Sequence, residues 1–496
     1  MRIGFDNDKY LKMQSEHISE RIKKFDNKLY LEFGGKLFDD YHASRVLPGF
    51  KPDSKLQMLL QLKDKAEIVI VISAEDIENS KMRGDYGISY DMDVLRLMDA
   101  FQGVGLYVGS ICLTKYASQP KAVQFEQKLA ELGIKSYRHY RIAGYPNDVA
   151  AIVSEDGYGK NDYIETTRPL VVITAPGPGS GKMATCLSQL YHEHKRGVNA
   201  GYAKFETFPI WNLPLKHPVN LAYEAATADL NDLNMIDPFH LEAYGETTVN
   251  YNRDIEIFPV VKSMMEMISG GESIYKSPTD MGVNMAGNCI IDDAACCDAS
   301  NREIIRRYHN ALVTKKVTGI EKDSLYKLEL LMNQAGIDLN YRGIEKAALE
   351  KEEATDGLPA VALELPDGKI VVGRTGTLLG ATSSVLLNAL KELAGIDHEL
   401  DLVSAESIKP IQTLKTEYLG SQNPRLHTDE ILIALSSSAA TNELAKQALS
   451  QIPKLKGCDA HSTVILSSVD QNTLRRLGVQ LTCEAKHEEE NRLYHK

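Results

Sequence analysis

The sequence has little cysteine, and its seven cysteines follow no paired spacing. No C-x-x-C pair occurs, so neither a redox dithiol nor a cysteine-rich zinc site is indicated. The sequence also lacks an apolar run near the ~18 residues that a membrane span requires, and its first residues lack the pattern of a signal peptide. We therefore expect a cytoplasmic protein with no membrane-spanning part.

An excess of positive charge is also missing, since the formal net charge is −12. A generic nucleic-acid binder needs concentrated Lys and Arg, so that class is excluded, whereas a small phosphate-bearing molecule needs only a local positive site. The sequence contains no G-x-S-x-G elbow, and His192-Glu-His194 lacks the H-E-x-x-H spacing of zinc proteases. Hydrolytic protease chemistry is therefore excluded.

Strand-like and helix-like segments alternate through the first 300 residues. Apolar runs at 66–73, 105–112 and 170–174 predict buried strands, and 91–101 and 121–132 predict helices between them. This alternation is typical of βαβ units and of a mainly parallel sheet with flanking helices.

The length of 496 residues predicts about three domains. Residues 1–300 are expected to form a P-loop-like α/β domain with an irregular insert at 212–260 that is rich in Asn, Asp and Pro. Residues 301–345 form a helical segment, wholly helical over 300–333. A smaller C-terminal α/β or α+β domain follows at 346–496, where Pro366-Asp-Gly368 predicts a hairpin.

The central motif is Ala175-Pro-Gly-Pro-Gly-Ser-Gly-Lys182, which follows the predicted strand 170–174 and opens a helix. A strand, a glycine-rich loop and a helix cradle phosphate through backbone N–H groups and the positive helix end. The expected ligand-binding residues are Gly177, Gly179, Ser180, Gly181, Lys182 and Thr185. The motif departs from G-x-x-x-x-G-K-[ST], because Pro176 occupies the first glycine position and Met183 replaces the hydroxyl residue that binds Mg²⁺.

Carboxylates that could serve a metal or the reaction follow the next strand. The predicted catalytic residues are Lys182, Glu206 and Asp280, and no complete ligand set for a metal is assigned. Further candidates share the stretch after Glu206, where turn formation or surface ion pairing is the alternative role: Asp229, Asp232, Asp237, His240, Glu242 and Arg253.

Three more loops carry weaker signals. Residues 277–288 are dense in loop formers and are predicted to contact a substrate, with Arg302, Arg306 and Arg307 on the helix that follows. Residues 373–384 form a second glycine-rich turn with Arg374, and residues 34–45 contain His42. Each has a purely structural alternative.

Together these features favour a phosphate- or nucleotide-binding protein, and most of all a small-molecule phosphotransferase that uses ATP or another phosphate ligand with Mg²⁺. The main alternative is a non-catalytic anion-binding or oligomeric protein whose loop performs no turnover. A third possibility is that the loop serves packing alone and that the function lies in the C-terminal unit. A chain of this size with long helices is also expected to form homo-oligomers.

Four segments resemble the DUF1846 family, also called UPF0371. They are Ile3–Tyr10, Glu32–Phe50, Ala175–Ala184 and Ser277–Asn284, and the resemblance extends over essentially the whole chain. It implies a bacterial protein with a P-loop-like N-terminal region and a distinct C-terminal domain. It implies no catalytic residues, because none are established for the family.

Overall fold

The computed structural model of the protein describes residues 2–35, 37–83, 87–230, 232–320 and 324–488. The chain divides into two compact units. Within the described residues, the N-terminal unit comprises 2–224 and 232–300, and the C-terminal unit comprises 225–230 and 301–488.

The strands of the N-terminal unit form one large sheet and two short pairs. They are β1 (Leu29–Phe33), β2 (Ala66–Ser73), β3 (Met82–Arg83), β4 (Ile88–Ser89), β5 (Tyr107–Tyr116), β6 (Ser136–Tyr140), β7 (Leu170–Thr174), β8 (Gly201–Phe205), β9 (Asn234–Ile236) and β10 (Val249–Tyr251). The large sheet has six strands, all parallel, in the order β6-β5-β2-β7-β1-β8. β3 pairs with β4 and β9 with β10, both antiparallel.

The strand order leaves a crevice beside β7. The chain leaves β2 toward β5 and leaves β7 toward β8, so the segments after these two adjacent strands diverge. Ligands in open α/β sheets bind in such a crevice, outside the carboxyl ends of the strands. Every residue of β1, β2 and β7 is buried, as expected of parallel strands with both faces covered.

Thirteen of the described α-helices begin in the N-terminal unit. They are α1 (Asn7–Lys23), α2 (Tyr41–Val46), α3 (Ser54–Gln61), α4 (Ala74–Glu78), α5 (Tyr90–Gly103), α6 (Pro120–Glu131), α7 (Val149–Ile152), α8 (Lys182–Lys195), α9 (Pro218–Ala226), α10 (Pro238–Tyr244), α11 (Asn252–Ser269), α12 (Pro278–Met281) and α13 (Asp293–Thr318). The helices α9 and α13 continue past the division between the units. Among the helices of the described ranges, none is both long and apolar enough to cross a membrane.

The C-terminal unit contains a smaller, mixed sheet in the order β12-β11-β13-β14. Its strands are β11 (Ala360–Glu364), β12 (Ile370–Arg374), β13 (Asp459–Ser462) and β14 (Gln480–Cys483), and only the pair β13–β14 is parallel. Its helices are α14 (Ser324–Ala335), α15 (Ile344–Glu353), α16 (Ala381–Ala394), α17 (Ala405–Thr413), α18 (Thr428–Ser438), α19 (Glu443–Leu449) and α20 (Ser468–Arg476). The predicted hairpin at Pro366-Asp-Gly368 joins β11 to β12.

The predicted fold class is confirmed, since a parallel α/β sheet with flanking helices precedes a smaller domain with a mixed sheet. One predicted helix is wrong. Residues 300–333 are not continuously helical, because α13 ends at Thr318 and Gly319 adopts φ +69°, the left-handed conformation that stops a helix. The stretch 212–260 is also more regular than expected, since it contains α9, α10, β9, β10 and the start of α11.

Candidate functional site

The glycine-rich loop connects β7 to α8 at the crevice. Gly179 and Gly181 have φ of +76° and +91°, a conformation that residues with a side chain rarely adopt. Gly181 precedes the helix without a side-chain cap, and the amide of Thr185 donates to the Gly181 carbonyl at 2.9 Å. The amides of residues 182–184 therefore have no helical acceptor, as in the anion-binding N-termini of other helices.

Two hydroxyl groups brace this loop from within. Ser180 Oγ donates to the Gly177 carbonyl at 2.9 Å, and Thr114 Oγ1 donates to the Ser180 carbonyl at 2.7 Å. Gly177 has no room for a side chain, because a Cβ there would lie 2.2 Å from Oη of Tyr90. The Ser180 side chain therefore shapes the loop, and backbone amides remain to face a ligand.

Lys182 is the cation of the loop. It opens α8, is partly exposed, and has no hydrogen-bond or ion-pair partner within the described ranges. A lysine at a helix N-terminus adds its charge to that of the helix end, which favours an anion there. Lys182 is therefore available to a ligand.

Thr185 is buried in the first turn of α8. Its side chain is fully buried near Cys112, and its Oγ1 has no hydrogen-bond partner among the described residues. The structure thus places Thr185 in the packing between α8 and β5.

A hydroxyl that sequence analysis did not select lies at the end of β2. Ser73 is 1% exposed, and its Oγ has no hydrogen-bond partner among the described residues. Ser73 pairs with Thr114 across the parallel strands β2 and β5, so both side chains point to one face of the sheet. Since Thr114 contacts the loop, Ser73 places an unsatisfied polar group beside it.

The predicted catalytic Glu206 directly follows β8. It therefore lies, like the glycine-rich loop after β7, at the carboxyl ends of the parallel strands. Tyr251 Oη donates a hydrogen bond to Glu206 Oε2, and Lys204 Nζ lies 3.4 Å from that oxygen. Its side chain crosses the end of β1, because a Cβ on Gly34 would lie 2.6 Å from Glu206 Cγ. With β1 between β7 and β8, the strand ends that carry the loop and Glu206 are about 10 Å apart.

Lys204 Nζ forms hydrogen bonds to two neighbouring side chains. Its Nζ donates to both carboxylate oxygens of Asp254 at 2.7 and 2.6 Å and to Tyr251 Oη at 2.6 Å. Burial alone would lower the pKa of Lys204, but Asp254 and Glu206 raise it above its ordinary value. Burial raises the pKa of Asp254, and the charge of Lys204 opposes that shift. This ion pair anchors α11 to β8.

A second buried ion pair, which sequence analysis missed, lies in the 34–55 region. Lys55 is 3% exposed, and its Nζ contacts Asp40 Oδ2 at 2.8 Å. Burial would raise the pKa of Asp40, but Lys55 brings it below its ordinary value. His42 packs against Phe208, with ring centroids 5.2 Å apart. Sequence analysis missed this pair because nothing in the local sequence of α3 indicates that Lys55 is buried.

Hydrogen bonds connect Asp280 to neighbouring residues of the 277–288 loop. Asp280 closes a capping box with Ser277, and its Oδ2 accepts from the amides of Lys276 and Ser277 at 2.8 and 3.1 Å. Asp237 caps α10 and also accepts from Thr279 Oγ1 at 2.7 Å. The structure therefore gives the 277–288 loop many internal contacts and gives the Asp280 carboxylate a capping role.

The remaining candidates are dispersed. His240 Nδ1 lies 2.9 Å from Ser277 Oγ, Arg253 pairs with Asp232 at 2.7 Å, and Glu242 is exposed. Four lie in the C-terminal unit together with Asp229: Arg302 pairs with Glu364, Arg306 with Asp459, Arg307 with Glu303, and Arg374 donates to the Thr375 carbonyl. The structure brings the 175–182 loop and Glu206 to one edge, and it does not bring these residues there as a group.

The fold and the loop define a parallel α/β protein with a glycine-rich strand–loop–helix turn, a candidate anion site, at the crevice of its sheet. Two family models match the chain: "Domain of unknown function DUF1846, N-terminal" over residues 3–336 and "Domain of unknown function DUF1846, C-terminal" over residues 340–494.

Full-length relatives agree with this match. A UPF0371 protein of Corynebacterium diphtheriae is 60% identical over 495 residues, covering 100% of this chain and 99% of the relative. One of Streptococcus sanguinis is 56% identical over 495 residues, covering 100% of both chains. The chain belongs to the DUF1846 family, also named UPF0371, which confirms the resemblance read from its sequence motifs.

Proposed function

We propose that the 175–182 loop binds a phosphate group of a small molecule and that the protein is a small-molecule phosphotransferase with ATP or another nucleotide as phosphate donor. The observation that carries the proposal is that α8 begins with uncapped amides and with Lys182, which has no hydrogen-bond or ion-pair partner among the described residues. Ser73, buried and unsatisfied beside the loop, supplies a further donor.

Glu206 is the proposed carboxylate of the reaction. Its side chain is 28% exposed, and it lies on the same edge of the sheet as the loop. Because the two strand ends are about 10 Å apart, a ligand that contacts both extends beyond one phosphate group. Phosphoryl transfer requires mainly positioning and charge neutralisation, which a nucleotide bound across this edge would receive.

A second candidate function, anion binding without turnover, is favoured by the missing metal hydroxyl. Met183 follows the lysine, Thr185 is buried against Cys112, and Ser180 donates to its own loop. Neither Met183 nor Ser180 offers a free hydroxyl to Mg²⁺, and the Thr185 hydroxyl, which has no hydrogen-bond partner among the described residues, is fully buried. The two functions therefore differ in whether Mg²⁺ changes binding and whether product forms.

Calorimetric titration of the full chain with inorganic phosphate, ATP and GTP, each with and without Mg²⁺, tests the proposal. For Lys182→Ala we expect about 10- to 100-fold weaker binding, since a hydrogen bond to a charged group contributes ~1.5–3 kcal/mol. Lys195→Ala is the matched control, because Lys195 lies at the far end of α8 and pairs with Glu155.

The outcomes separate the candidates. Mg²⁺-dependent nucleotide binding with phosphoryl transfer to an acceptor, lost in Glu206→Gln, supports the phosphotransferase. Binding that is independent of Mg²⁺ and yields no product selects the non-catalytic protein. Absence of binding, or equal binding by wild type and Lys182→Ala, contradicts both.

A further inference from the structure

A group of metal-ligating side chains lies buried in the C-terminal unit. It consists of His309 on α13, Glu345 on α15 and His461 on β13, which are 1%, 2% and 0% exposed. One potential ligand atom from each residue lies within 4.8 Å of the others. The three residues come from elements far apart in the sequence, so their convergence is a property of the fold.

Several atoms of this group lack hydrogen bonds. Both ring nitrogens of His309 and Oε2 of Glu345 have no hydrogen-bond partner among the described residues. His309 Nε2 lies 3.7 Å from Glu345 Oε1, beyond hydrogen-bond range. Since buried polar atoms nearly always have partners, these unsatisfied atoms indicate an occupant.

The two imidazole rings of the group lie next to each other. The ring centroid of His309 lies 4.8 Å from that of His461.

Neighbouring side chains hold the other two residues in place. Arg342 Nε donates to Glu345 Oε1 at 2.6 Å, which leaves Oε2 of that carboxylate unoccupied. His461 Nε2 lies 3.1 Å from Glu484 Oε1, and its Nδ1 lies 2.9 Å from Thr482 Oγ1. Metal-binding histidines in general have one ring nitrogen held by such a partner, so one nitrogen of His461 exchanges its partner for the ion while the other stays held.

We propose that His309, Glu345 and His461 bind a divalent transition-metal ion, with zinc as the best match. Two imidazoles and one carboxylate are a ligand set that Zn²⁺ accepts. Nitrogen and oxygen ligands around tetrahedral zinc are ~3.3 Å apart, so binding draws the widest pair of this group together. The buried ion connects α13, α15 and β13 and stabilises the C-terminal unit.

The surrounding charges compensate one another. Arg342 is close to the site and opposes a cation, but Asp459 lies 3.9 Å from Arg342 and 2.7 Å from Arg306. The carboxylates of Glu345 and Glu484 add negative charge next to the imidazoles. An ion held here is thus countered by carboxylates.

A second group, His217, Asp293 and Cys297 in the N-terminal unit, is the internal control. His217 Nδ1 accepts from the Val219 amide at 3.2 Å, so the ring proton is on Nε2, which donates to Asp293 Oδ1 at 3.0 Å. Burial raises the pKa of Cys297 to about 11, and Asp293 contributes to that shift. These atoms are satisfied by one another, and we expect them to bind no metal.

Metal titration of the full chain tests the proposal. The protein, purified without a histidine tag and stripped with a chelator, is titrated with Zn²⁺ and with Co²⁺, and bound metal is quantified by mass spectrometry. We expect one equivalent in wild type and in His217→Ala. His309→Ala, Glu345→Ala and His461→Ala should each bind more than about 100-fold more weakly, because each removes a ligand.

The cobalt spectrum separates the two groups. Ligation by nitrogen and oxygen alone lacks the thiolate-to-cobalt charge-transfer band, so its absence in wild type supports the buried site. Its presence, with loss in Cys297→Ser, contradicts the proposal. Failure of wild type to bind an equivalent, or unchanged binding by a folded His309→Ala, also overturns it. The wild-type titration and spectrum are sufficient to contradict the proposal, so the test does not depend on whether the variants fold.

Discussion

Two lysines near the carboxyl ends of the parallel strands differ in their ion-pair partners. Lys204, at the end of β8, is 11% exposed in its side chain and contacts Asp254, Glu206 and Tyr251. Lys182, after β7, is partly exposed and has no hydrogen-bond or ion-pair partner within the described ranges. Carboxylates of the protein compensate the charge of Lys204, whereas no carboxylate among the described residues pairs with Lys182.

The difference separates Lys204, a structural cation, from Lys182, the cation that we propose binds a ligand. A buried lysine whose carboxylates already surround it holds elements together, and removing it leaves those carboxylates unpaired. A lysine on a glycine-rich loop without carboxylates contributes little to folding and can compensate a ligand. Substitutions at the two ends of the edge should therefore affect different properties.

The largest expected effect is on stability at Lys204. Lys204→Ala leaves Asp254 and Glu206 without their cation in a buried setting, so we expect the free energy of unfolding to fall by ~3–5 kcal/mol. Lys182→Ala, the control, should change it by less than ~0.5 kcal/mol. Urea unfolding followed by circular dichroism measures both. Equal losses of unfolding free energy in the two variants would contradict the distinction between a structural lysine and a ligand-binding one.

Gly177 should show an intermediate effect, because the loop is packed against Tyr90. In Gly177→Ala the new methyl group meets the Tyr90 hydroxyl, and we expect a loss of ~1–3 kcal/mol together with weaker phosphate binding. Gly103→Ala is the control, since a Cβ there meets nothing within 4 Å. A Gly177→Ala protein with wild-type stability and affinity would show that the loop is not held by this contact.

Ser180 should show the smallest effect. Ser180→Ala removes the hydrogen bond to the Gly177 carbonyl, and we expect a stability loss of ~0.5–1.5 kcal/mol with phosphate affinity within a few-fold of wild type. Paired unfolding and titration experiments measure both quantities. An affinity loss as large as that of Lys182→Ala would instead show that the hydroxyl contacts the ligand, as the sequence motif predicts.

The sheet was predictable because its strands are apolar runs. The strands at 66–73 and 170–174 have the predicted bounds, since both faces of a central parallel strand are buried and leave an unbroken hydrophobic segment. The predicted helix over 300–333 failed at Gly319, whose left-handed conformation ends α13. Apolar periodicity continues across such a glycine, so it does not reveal the break.

The loop of the candidate site was predictable, and most of its surroundings were not. Glycines and a lysine between a strand and a helix form a local pattern, which is why 175–182 stood out. Lys204 and Asp254 are 50 positions apart, and Ser73 reaches the loop only through the pairing of β2 with β5. His309, Glu345 and His461 share no spacing that a metal motif would require. Contacts of this kind depend on tertiary structure.

A crystal structure of the protein with a bound nucleotide tests the central claim most directly. We predict a phosphate group within hydrogen-bond distance, ~2.7–3.2 Å, of the amide nitrogens of residues 182–184 and of Lys182 Nζ. A nucleotide bound elsewhere, with these amides and Lys182 making no contact to it, would contradict the account.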